Sequence, residues 1–362
     1  MFETPCLLID VQKMNRNIEH MAEIAARNGV HIRPHSKTHK IPAIAKRQMD
    51  AGAIGITVAK VSEAEVMANQ GIDNIFIAYP LVTQSKIERA IKLSQTIQLI
   101  VGVDSFEGAL KLSEISKSHS HTLKVRLEID TGLQRTGVRY DHAIQLAQQI
   151  QGLDHIELTG IYTYRGALLN GKPTLDLETA GIEEGKLMAD LAEKMRVNGI
   201  PITDVSVGST PTSPYASQVK GVTEVRPGTY VFQDCMQVKL GVCTIEDCAA
   251  TILVNVVSLA AEHQAIIDGG SKTFATDIQP NTIPLSLQGF GHILDAPSAV
   301  LERMNEEHGM IRLNKDLGWK IGDQLRIIPN HICSTVNLHN KVYFIDGDQI
   351  EEVTVFGRGM LE

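Results

Sequence analysis

Short apolar runs rich in β-branched residues recur along the first two thirds of the chain, and more polar stretches separate them. The runs begin at Cys6, His31, Ala53, Asn74, Ile97, Leu123, Ile156 and Asp204. Through Leu123 the starting points lie twenty-odd residues apart, which accommodates one strand, one helix and two short loops. Strands that are apolar on both faces are typical of a buried parallel sheet.

The stretches between the runs have the periodicity of amphipathic helices. Met14, Ile18, Met21 and Ile24 return at helical spacing. Gly29 then offers a C-terminal stop signal. About eight such βα units predict a (β/α)8 barrel of the TIM type. An open doubly wound sheet is the alternative, but no G-x-G-x-x-G follows the first run, which disfavours dinucleotide binding.

After Gly241 the apolar runs follow one another without helical stretches between them. They are A-A-T-I-L-V-N-V-V-S-L, H-Q-A-I-I-D-G-G, Q-L-R-I-I-P-N-H-I-C, K-V-Y-F-I-D-G-D and E-E-V-T-V-F-G-R-G. The D-G-D between the last two predicts a turn. We therefore predict a barrel domain over residues 12–240 and a β-rich domain over residues 241–362, with residues 1–11 as an additional contribution to the latter.

Composition and charge narrow the class of protein. A chain of 362 residues exceeds what one core usually organises, which agrees with two domains. The net charge of −8 disfavours nucleic acid as a partner. No run of about 18 apolar residues exists to span a membrane. The N-terminus lacks the pattern of a signal peptide, and five cysteines do not indicate a disulfide framework, so we expect a cytoplasmic protein.

The stretch R-P-H-S-K-T-H-K places Lys37 just after the second apolar run. Functional groups of a barrel lie at the C-terminal ends of its strands. By itself such a lysine is more often a salt-bridged surface residue. Its cationic neighbours, however, disfavour a further positive charge, and the neutral amine is the nucleophilic form. Lys40 is the competing candidate.

A second candidate is the loop S-V-G-S-T-P-T-S-P after the eighth run. Gly208, Ser209 and Thr210 offer backbone N–H groups and hydroxyls without bulky side chains, and Gly228 and Tyr230 could complete a phosphate cup. Barrels commonly bind phosphate at the loops after their last strands. The alternative is an ordinary polar turn. A nucleophilic lysine and a phosphate cup on one rim together favour pyridoxal phosphate.

Two further motifs carry weaker signals. Arg135, in D-T-G-L-Q-R-T-G-V, could lie near a cofactor oxygen or a substrate carboxylate, although such an arginine is more often a loop salt bridge. In P-N-H-I-C, strand alternation would place His331 and Cys333 on one face. Imidazole and thiolate make half of a zinc site, but a lone His-x-Cys is more often two ordinary strand residues.

These blocks together resemble the D-threonine aldolase and D-serine dehydratase family, whose members are alanine racemase-like, fold type III pyridoxal phosphate enzymes. The resemblance covers essentially the whole chain. It rests on T-P-C-L-L-I-D, R-P-H-S-K-T-H-K, D-T-G-L-Q-R-T-G-V, G-S-T-P-T, R-P-G-T-Y-V-F-Q-D, D-G-G-S-K-T-F, E-E-H-G and P-N-H-I-C-S-T-V-N-L. It implies an alanine racemase-like barrel followed by a β-rich domain.

The resemblance also implies roles for particular residues. Lys37 would carry pyridoxal phosphate, and the loop from Gly208 to Thr212, with Gly228 and Tyr230, would hold its phosphate. His331 and Cys333 would bind a divalent metal near the substrate. The side chains of Tyr162, Tyr164 and Arg165 would face the cofactor.

Cys333 bears on the type of reaction. The family's aldolases have His-x-Asp at this position, whereas its dehydratases have His-x-Cys. A thiolate favours zinc, and a carboxylate suits manganese or magnesium. We therefore expect a lyase for D-3-hydroxy amino acids, with a slight preference for dehydration. A D-threonine aldolase-type cleavage, an amino-acid racemase and a non-catalytic cofactor carrier are the alternatives. Related folds also lead us to expect a homodimer.

Overall fold

The structure is a computed structural model that describes residues 2–362, and it divides into two compact units. The barrel unit comprises Glu19–Lys37, Pro42–Gly228 and Met360–Glu362. The sheet unit comprises the described residues through Ile18, followed by Thr38–Ile41 and Thr229–Gly359.

Eight parallel strands form the wall of the barrel unit. In order around the wall they are His31–Ile32, Glu224–Val225, Asp204–Val207, Ile156–Tyr162, Leu123–Asp130, Gln98–Val103, Asn74–Pro80 and Ile56–Val58. The strand Ile56–Val58 contacts the segment that follows the strand His31–Ile32. Thr57 N–H donates to Pro34 O at 2.7 Å, and Thr57 forms an isolated β-bridge with His35. The predicted (β/α)8 barrel is confirmed.

Helices alternate with these strands. They span Val11–Arg27, Pro42–Asp50, Val61–Asn69, Gln84–Ser94, Phe106–Ser118, Ala143–Gln151, Leu177–Val197 and Ser213–Ala216. The first shows why the periodicity predicts helices: Met14, Ile18 and Met21 are all buried. It ends at Arg27, and Gly29 adopts φ +66°, a left-handed conformation that glycine adopts readily.

Shorter elements complete the barrel unit. Val138–Arg139 pairs with the strand Leu123–Asp130, and Leu168–Leu169 forms a small hairpin with Lys172–Pro173. Single 3-10 turns span Ser36–Thr38, which crosses into the sheet unit, and Tyr140–His142.

A buried carboxylate connects distant strands inside the barrel. Glu224 accepts from Arg33 Nε at 2.7 Å and from Arg126 Nη1 at 2.6 Å, and all three side chains are at most 3 % exposed. Burial raises the pKa of Glu224, but Arg126 and Arg33 outweigh it and hold that pKa well below its usual range. Arg33 also donates to Asn74 Oδ1 at 2.7 Å. Arg33 is therefore paired inside the barrel and is not a source of uncompensated charge beside Lys37.

The sheet unit is built on a nine-stranded sheet. Its strands are Cys6–Asp10, Ala250–Ser258, Gln264–Ile267, Gly291–Ile293, Val300–Met304, Gly309–Arg312, Gln324–Pro329, Lys341–Asp346 and Gln349–Thr354. The unit also contains short helices at Cys235–Lys239 and Ile332–Val336, and 3-10 turns at Thr229–Val231 and Ile245–Asp247. The β-rich character predicted for the C-terminal region is confirmed.

One strand belongs to a different sheet from the one its spacing predicted. The run from Cys6 is a strand, but Cys6–Asp10 pairs antiparallel with Ala250–Ser258 and parallel with Lys341–Asp346. The count of eight βα units included this run, and that count was wrong, whereas the predicted domain bounds had placed residues 1–11 with the β-rich domain. The eighth barrel strand is Glu224–Val225, only two residues long. Periodicity finds strands but does not tell which of them pair.

None of the helices among residues 2–362 combines the length and the apolar character needed to cross a membrane.

Replacing Glu224 with Gln should destabilise the barrel unit strongly. The change removes the charge that compensates two buried guanidinium groups, and breaking a buried pair costs about 3–5 kcal/mol. Glu65→Gln is the matched control, because Glu65 makes a similar pair with Arg89 at 2.6 Å but is 34 % exposed; such a pair contributes about 0–1 kcal/mol. Urea denaturation followed by circular dichroism measures both, and equal losses of stability would contradict this account of Glu224.

Candidate active site

Lys37 lies in the 3-10 turn Ser36–Thr38, just beyond the first barrel strand. It is half-buried, and its Nζ lies 5.3 Å from the centre of the Tyr164 ring. Tyr164 follows the strand Ile156–Tyr162 and is 38 % exposed. Lys37 and Tyr164 thus meet at the C-terminal ends of two barrel strands, where barrels carry functional groups.

Arg135 joins the same cluster. Its Cζ lies 5.1 Å from the centre of the Tyr164 ring, so one aromatic ring contacts both cations. The loop that carries Arg135 is held by carboxylates. Asp130 Oδ1 accepts from the N–H groups of Gly132 and Gln134 at 2.9 and 3.0 Å. The structure therefore brings together three of the residues predicted from sequence.

Glu128 is a further part of this loop's support that the sequence patterns did not reveal. It lies inside the strand Leu123–Asp130 and is buried. Its Oε1 accepts from the Thr136 hydroxyl at 2.8 Å, next to Arg135. Burial raises the pKa of Glu128, although the Thr136 and Tyr162 bonds oppose that shift. The available signal was the alternation in L-K-V-R-L-E-I-D, which places Glu128 on the same face of the strand as the buried Arg126.

Tyr162 and Arg165 are placed differently from Tyr164. Tyr162 is 1 % exposed, and its hydroxyl donates to Glu128 Oε2 at 3.0 Å. Arg165 is also buried, and its Nη2 lies 3.0 Å from Glu183 Oε1. The buried Arg165 Nε has no hydrogen-bond partner within residues 2–362. The contacts of Tyr162 and Arg165 with a cofactor stay predictions.

Lys40, the competing lysine, lies in the sheet unit. Its side chain is 6 % exposed, and its Nζ donates to Gly357 O at 3.3 Å. The backbone of Gly357 in turn donates to Lys40 O at 3.0 Å. Lys40 is thus bonded to a neighbouring backbone segment at both its ammonium group and its carbonyl, which favours a structural role for it.

The predicted phosphate loop, from Gly208 to Thr212, follows the strand Asp204–Val207, and Ser213 begins the helix after it. Gly208 has φ +78°, and a Cβ there would lie 2.8 Å from Ser213 Oγ, so glycine lets the backbone approach this hydroxyl. Ser213 Oγ is buried and has no hydrogen-bond partner within residues 2–362. Thr210 Oγ1 accepts from Gly228 N–H at 3.3 Å, which joins the two predicted segments of the cup. An orphaned buried hydroxyl beside a glycine fits a loop that receives phosphate.

Glu184 braces this loop from the helix Leu177–Val197. Its carboxylate accepts from Gly208 N–H and from the Thr212 hydroxyl, each at 3.2 Å. Burial raises the pKa of Glu184. This helix lies close to the loop and to the helix Ser213–Ala216. Gly181 and Gly185 make that possible, because a Cβ at either position would collide with residues there. The sequence signal for Glu184 was a charged residue between two glycines on one helix, and the prediction from sequence missed it.

Tyr230 lies in the sheet unit, within the 3-10 turn Thr229–Val231, and is 1 % exposed. Its predicted role in phosphate binding stays a prediction.

His331 and Cys333 do come together, but not by strand alternation. The strand ends at Pro329, His331 is the residue before the helix Ile332–Val336, and Cys333 lies in its first turn. The prediction of a continuous strand was wrong because Asn330 and His331 leave the sheet. Asp234 holds the turn: its Oδ2 accepts from Ile332 N–H at 3.0 Å.

The two side chains influence each other's pKa, and each has hydrogen-bond partners of its own. His331 Nδ1 lies 2.6 Å from Asp277 Oδ2. Cys333 Sγ lies 3.1 Å from the Thr38 hydroxyl and 3.4 Å from that of Thr229. Burial raises the pKa of Cys333, but His331 outweighs it and the net direction is down. For His331 burial lowers the pKa, but the charge of Cys333 and the bond to Asp277 raise it.

This donor set fits a zinc-type metal. The thiolate is the form of cysteine that binds metal, and Asp277 occupies Nδ1 so that Nε2 is the nitrogen left for coordination. Among residues 2–362 no group of three His, Cys, Asp or Glu side chains is placed to hold a metal. A metal held by this pair would therefore keep positions for substrate oxygens or water.

Two family models match the chain, each over one part of it. The alanine racemase N-terminal domain matches residues 9–235, and a serine dehydratase domain matches residues 249–345. The first covers more than half of the chain, which shows the family.

Known proteins agree with these matches over nearly the whole length. The chain is 33 % identical to D-threo-3-hydroxyaspartate dehydratase of Delftia sp. over 349 residues, 92 % of this chain and 91 % of that one. It is 28 % identical to D-threonine aldolase of Arthrobacter sp. over 356 residues, 97 % and 91 % of the two chains.

A solved structure extends the similarity to three dimensions. A cysteine-to-alanine mutant of D-threo-3-hydroxyaspartate dehydratase in the metal-free form superposes with a TM-score of 0.90 and 31 % identity, covering 98 % of this chain and 97 % of that one. Membership in this family implies pyridoxal phosphate as the cofactor. The chain belongs to the alanine racemase-like family, in the group whose barrel is followed by a serine dehydratase domain.

Proposed function

We propose that this protein is a pyridoxal phosphate- and zinc-dependent lyase that dehydrates D-3-hydroxy amino acids. The observation that carries the proposal is the pair of His331 and Cys333, an imidazole beside a thiol whose pKa is lowered. Soft thiolate and imidazole donors favour zinc over manganese or magnesium. The similarity to a named dehydratase and to a serine dehydratase domain supports the same reaction.

Chain continuity supports a shared role for the two groups of residues. Thr38, whose hydroxyl lies 3.1 Å from Cys333 Sγ, directly follows Lys37. Thr229, whose hydroxyl lies 3.4 Å from the same sulfur, directly follows Gly228. Lys37 and Gly228 are thus each joined by a peptide bond to a threonine whose hydroxyl contacts Cys333, the proposed metal ligand.

The residues of the barrel unit would bind and orient the cofactor. Lys37 would hold it covalently, and the hydroxyls of Ser209 and Ser213 would donate to its phosphate. Bound pyridoxal phosphate supplies an electron sink for a carbanion at the substrate Cα. Tyr164, whose ring contacts both Lys37 and Arg135, would position the cofactor ring, and Arg135 would position the substrate carboxylate.

Proton transfer at Cα is assigned to Lys37. When it is not bonded to the cofactor, Lys37 Nζ would accept the Cα proton, and the Tyr164 ring, whose centre lies 5.3 Å away, would orient it. His331 and Cys333 would hold the metal, whose contribution is Lewis-acid polarisation of the β-hydroxyl. An aldolase would instead leave the Cα–H bond intact and break Cα–Cβ. The homodimer expected from related folds is part of this proposal.

Product analysis should show dehydration. With D-threo-3-hydroxyaspartate, D-serine and D-threonine as substrates, we expect ammonia and the corresponding 2-oxo acid rather than glycine and an aldehyde. Substrate deuterated at Cα should lose its label and react several-fold more slowly, because Lys37 must remove that proton. Glycine that retains deuterium at Cα would identify an aldolase. Inversion at Cα without elimination would identify a racemase, and binding without turnover a carrier.

Lys37→Ala should abolish covalent attachment of the cofactor. The visible absorbance of the bound cofactor should disappear, and borohydride treatment should leave no cofactor-modified peptide. Lys40→Ala is the matched control, because its ammonium group is bonded to Gly357 O. It should keep both signals, and a modified peptide that contains Lys40 instead of Lys37 would refute the assignment.

Removing the metal should reduce turnover at least tenfold, and zinc should restore it, because the β-hydroxyl is a poor leaving group without Lewis-acid assistance. Cys333→Asp replaces the soft donor with a hard one, so the variant should be reactivated better by Mn²⁺ than by Zn²⁺. Activity assays on chelator-treated protein with each metal measure this. An unchanged metal preference in the variant would argue that Cys333 is not a ligand.

A further inference from the structure

The imidazole of His331 has two nitrogens, and the structure gives one of them a carboxylate partner. Nδ1 lies 2.6 Å from Asp277 Oδ2, and the same oxygen accepts from the Ser334 hydroxyl at 3.0 Å. Asp277 lies outside the helix and outside every motif that predicted the site. All three residues belong to the sheet unit, which makes this a local arrangement.

The segment that carries Asp277 is tied to the region of the helix Ile332–Val336 at two further points. Ala275 N–H donates to Thr335 Oγ1 at 3.3 Å, and the Thr335 hydroxyl donates to His331 O at 2.8 Å. His339 Nε2 lies 3.1 Å from Thr273 O. The carboxylate of Asp277 is therefore held against His331 by the backbone around it.

A carboxylate on one imidazole nitrogen has defined effects on the other. It accepts the proton of Nδ1–H and so selects the tautomer in which Nε2 carries the lone pair. It also fixes the rotation of the ring and increases the basicity of Nε2. Each of these effects strengthens binding of a metal at Nε2 without direct contact between the carboxylate and the metal.

We propose that Asp277 is a positioning residue that orients His331 for zinc, and that Ser334 assists by bonding to the same carboxylate oxygen. The inference rests on the metal-binding role of His331 and Cys333 in the proposed function. Asp277 acts through His331 and is not itself a ligand.

Stabilisation of the fold does not account for the arrangement. The Asp277 side chain is 44 % exposed, and exposed ion pairs contribute only about 0–1 kcal/mol. The backbone of the ligand segment is already fixed by a different acid, Asp234, through Ile332 N–H. A change at Asp277 should therefore alter metal affinity far more than it alters unfolding.

The test is a metal titration of the full-length, cofactor-loaded protein and its variants. Zinc affinity is measured by competition with a chromophoric chelator, and Co²⁺ is used in parallel for its thiolate-to-metal charge-transfer band. Asp277→Ala should weaken zinc binding about 10–100-fold, the range typical for loss of such a partner. Asp277→Asn should fall between that variant and the unaltered protein, because the amide oxygen still accepts a hydrogen bond but lacks the charge.

Two controls separate positioning from folding and from ligation. Asp295→Ala removes an exposed aspartate of the same unit and should leave zinc affinity unchanged. Cys333→Ala should abolish the charge-transfer band, whereas Asp277→Ala should retain it at saturating Co²⁺, because the thiolate is still present. Urea midpoints of the Asp277 variants should match that of the unaltered protein.

The outcomes are distinguishable. If the unaltered protein shows no charge-transfer band and binds no zinc, the metal site of the proposed function fails and this inference fails with it. If it binds zinc but Asp277→Ala and Asp277→Asn bind equally well, only the positioning role of Asp277 is overturned. Loss of the band from Asp277→Ala at saturating Co²⁺ would mean that the Cys333 thiolate no longer binds the metal in the variant; Asp277 would then be required to assemble the site, and the positioning role would also be overturned.

Discussion

The ion pairs of Glu224 are the interaction on which the barrel unit depends. The carboxylate of Glu224, in the two-residue strand Glu224–Val225, binds two arginines. Arg33 follows the strand His31–Ile32, and Arg126 lies in the strand Leu123–Asp130. Two-residue strands supply few ladder bonds of their own, so the buried charges hold strand ends that would otherwise be weakly fixed. Lys37 lies four residues after Arg33, and Gly228 lies four residues after Glu224. Lys37 and Gly228, two predicted site residues, therefore lie in the segments that follow the strands His31–Ile32 and Glu224–Val225. The ion pair of Arg33 and Glu224 joins these two strands.

Acidic side chains also support the other loops of the candidate site. Glu184 accepts from the backbone and a hydroxyl of the loop from Gly208 to Thr212, and Glu128 bonds to the residue after Arg135. Asp234 and Asp277 perform comparable roles around His331. Of these acids only Asp234 belongs to a motif on which the family resemblance rests, as the last residue of R-P-G-T-Y-V-F-Q-D. A loop has few backbone bonds to strands or helices, so a carboxylate that accepts several N–H or O–H groups is an effective means of fixing its shape.

The proposed metal ligands His331 and Cys333 show how local chemistry follows from packing. A thiol in a buried setting would ordinarily hold its proton, but an adjacent imidazole and two hydroxyls stabilise the thiolate of Cys333. The residue identities alone do not produce that state. It depends on the helix Ile332–Val336, which turns the sulfur back toward the imidazole, and on Thr38 and Thr229, which approach from distant parts of the chain.

Much of the architecture was readable from the sequence. Alternation of apolar runs and amphipathic stretches is a local property, so it predicted seven of the eight barrel strands, the helix Val11–Arg27 and five of the eight strands from residue 250 onward. It missed the strands Glu224–Val225, Gly291–Ile293, Val300–Met304 and Gly309–Arg312. The motifs around Lys37, Arg135 and Gly208 are also contiguous, and composition marked them as polar loops after strands, whereas the motif around His331 was wrongly predicted to continue a strand. Pairing was not local: Cys6–Asp10 joins the other sheet because its partners are Ala250–Ser258 and Lys341–Asp346. The contacts of Glu128, Glu184 and Asp277 were equally hidden, because hydrogen bonding between residues far apart in the chain depends on where the fold places them, and no spacing along the sequence encodes that distance.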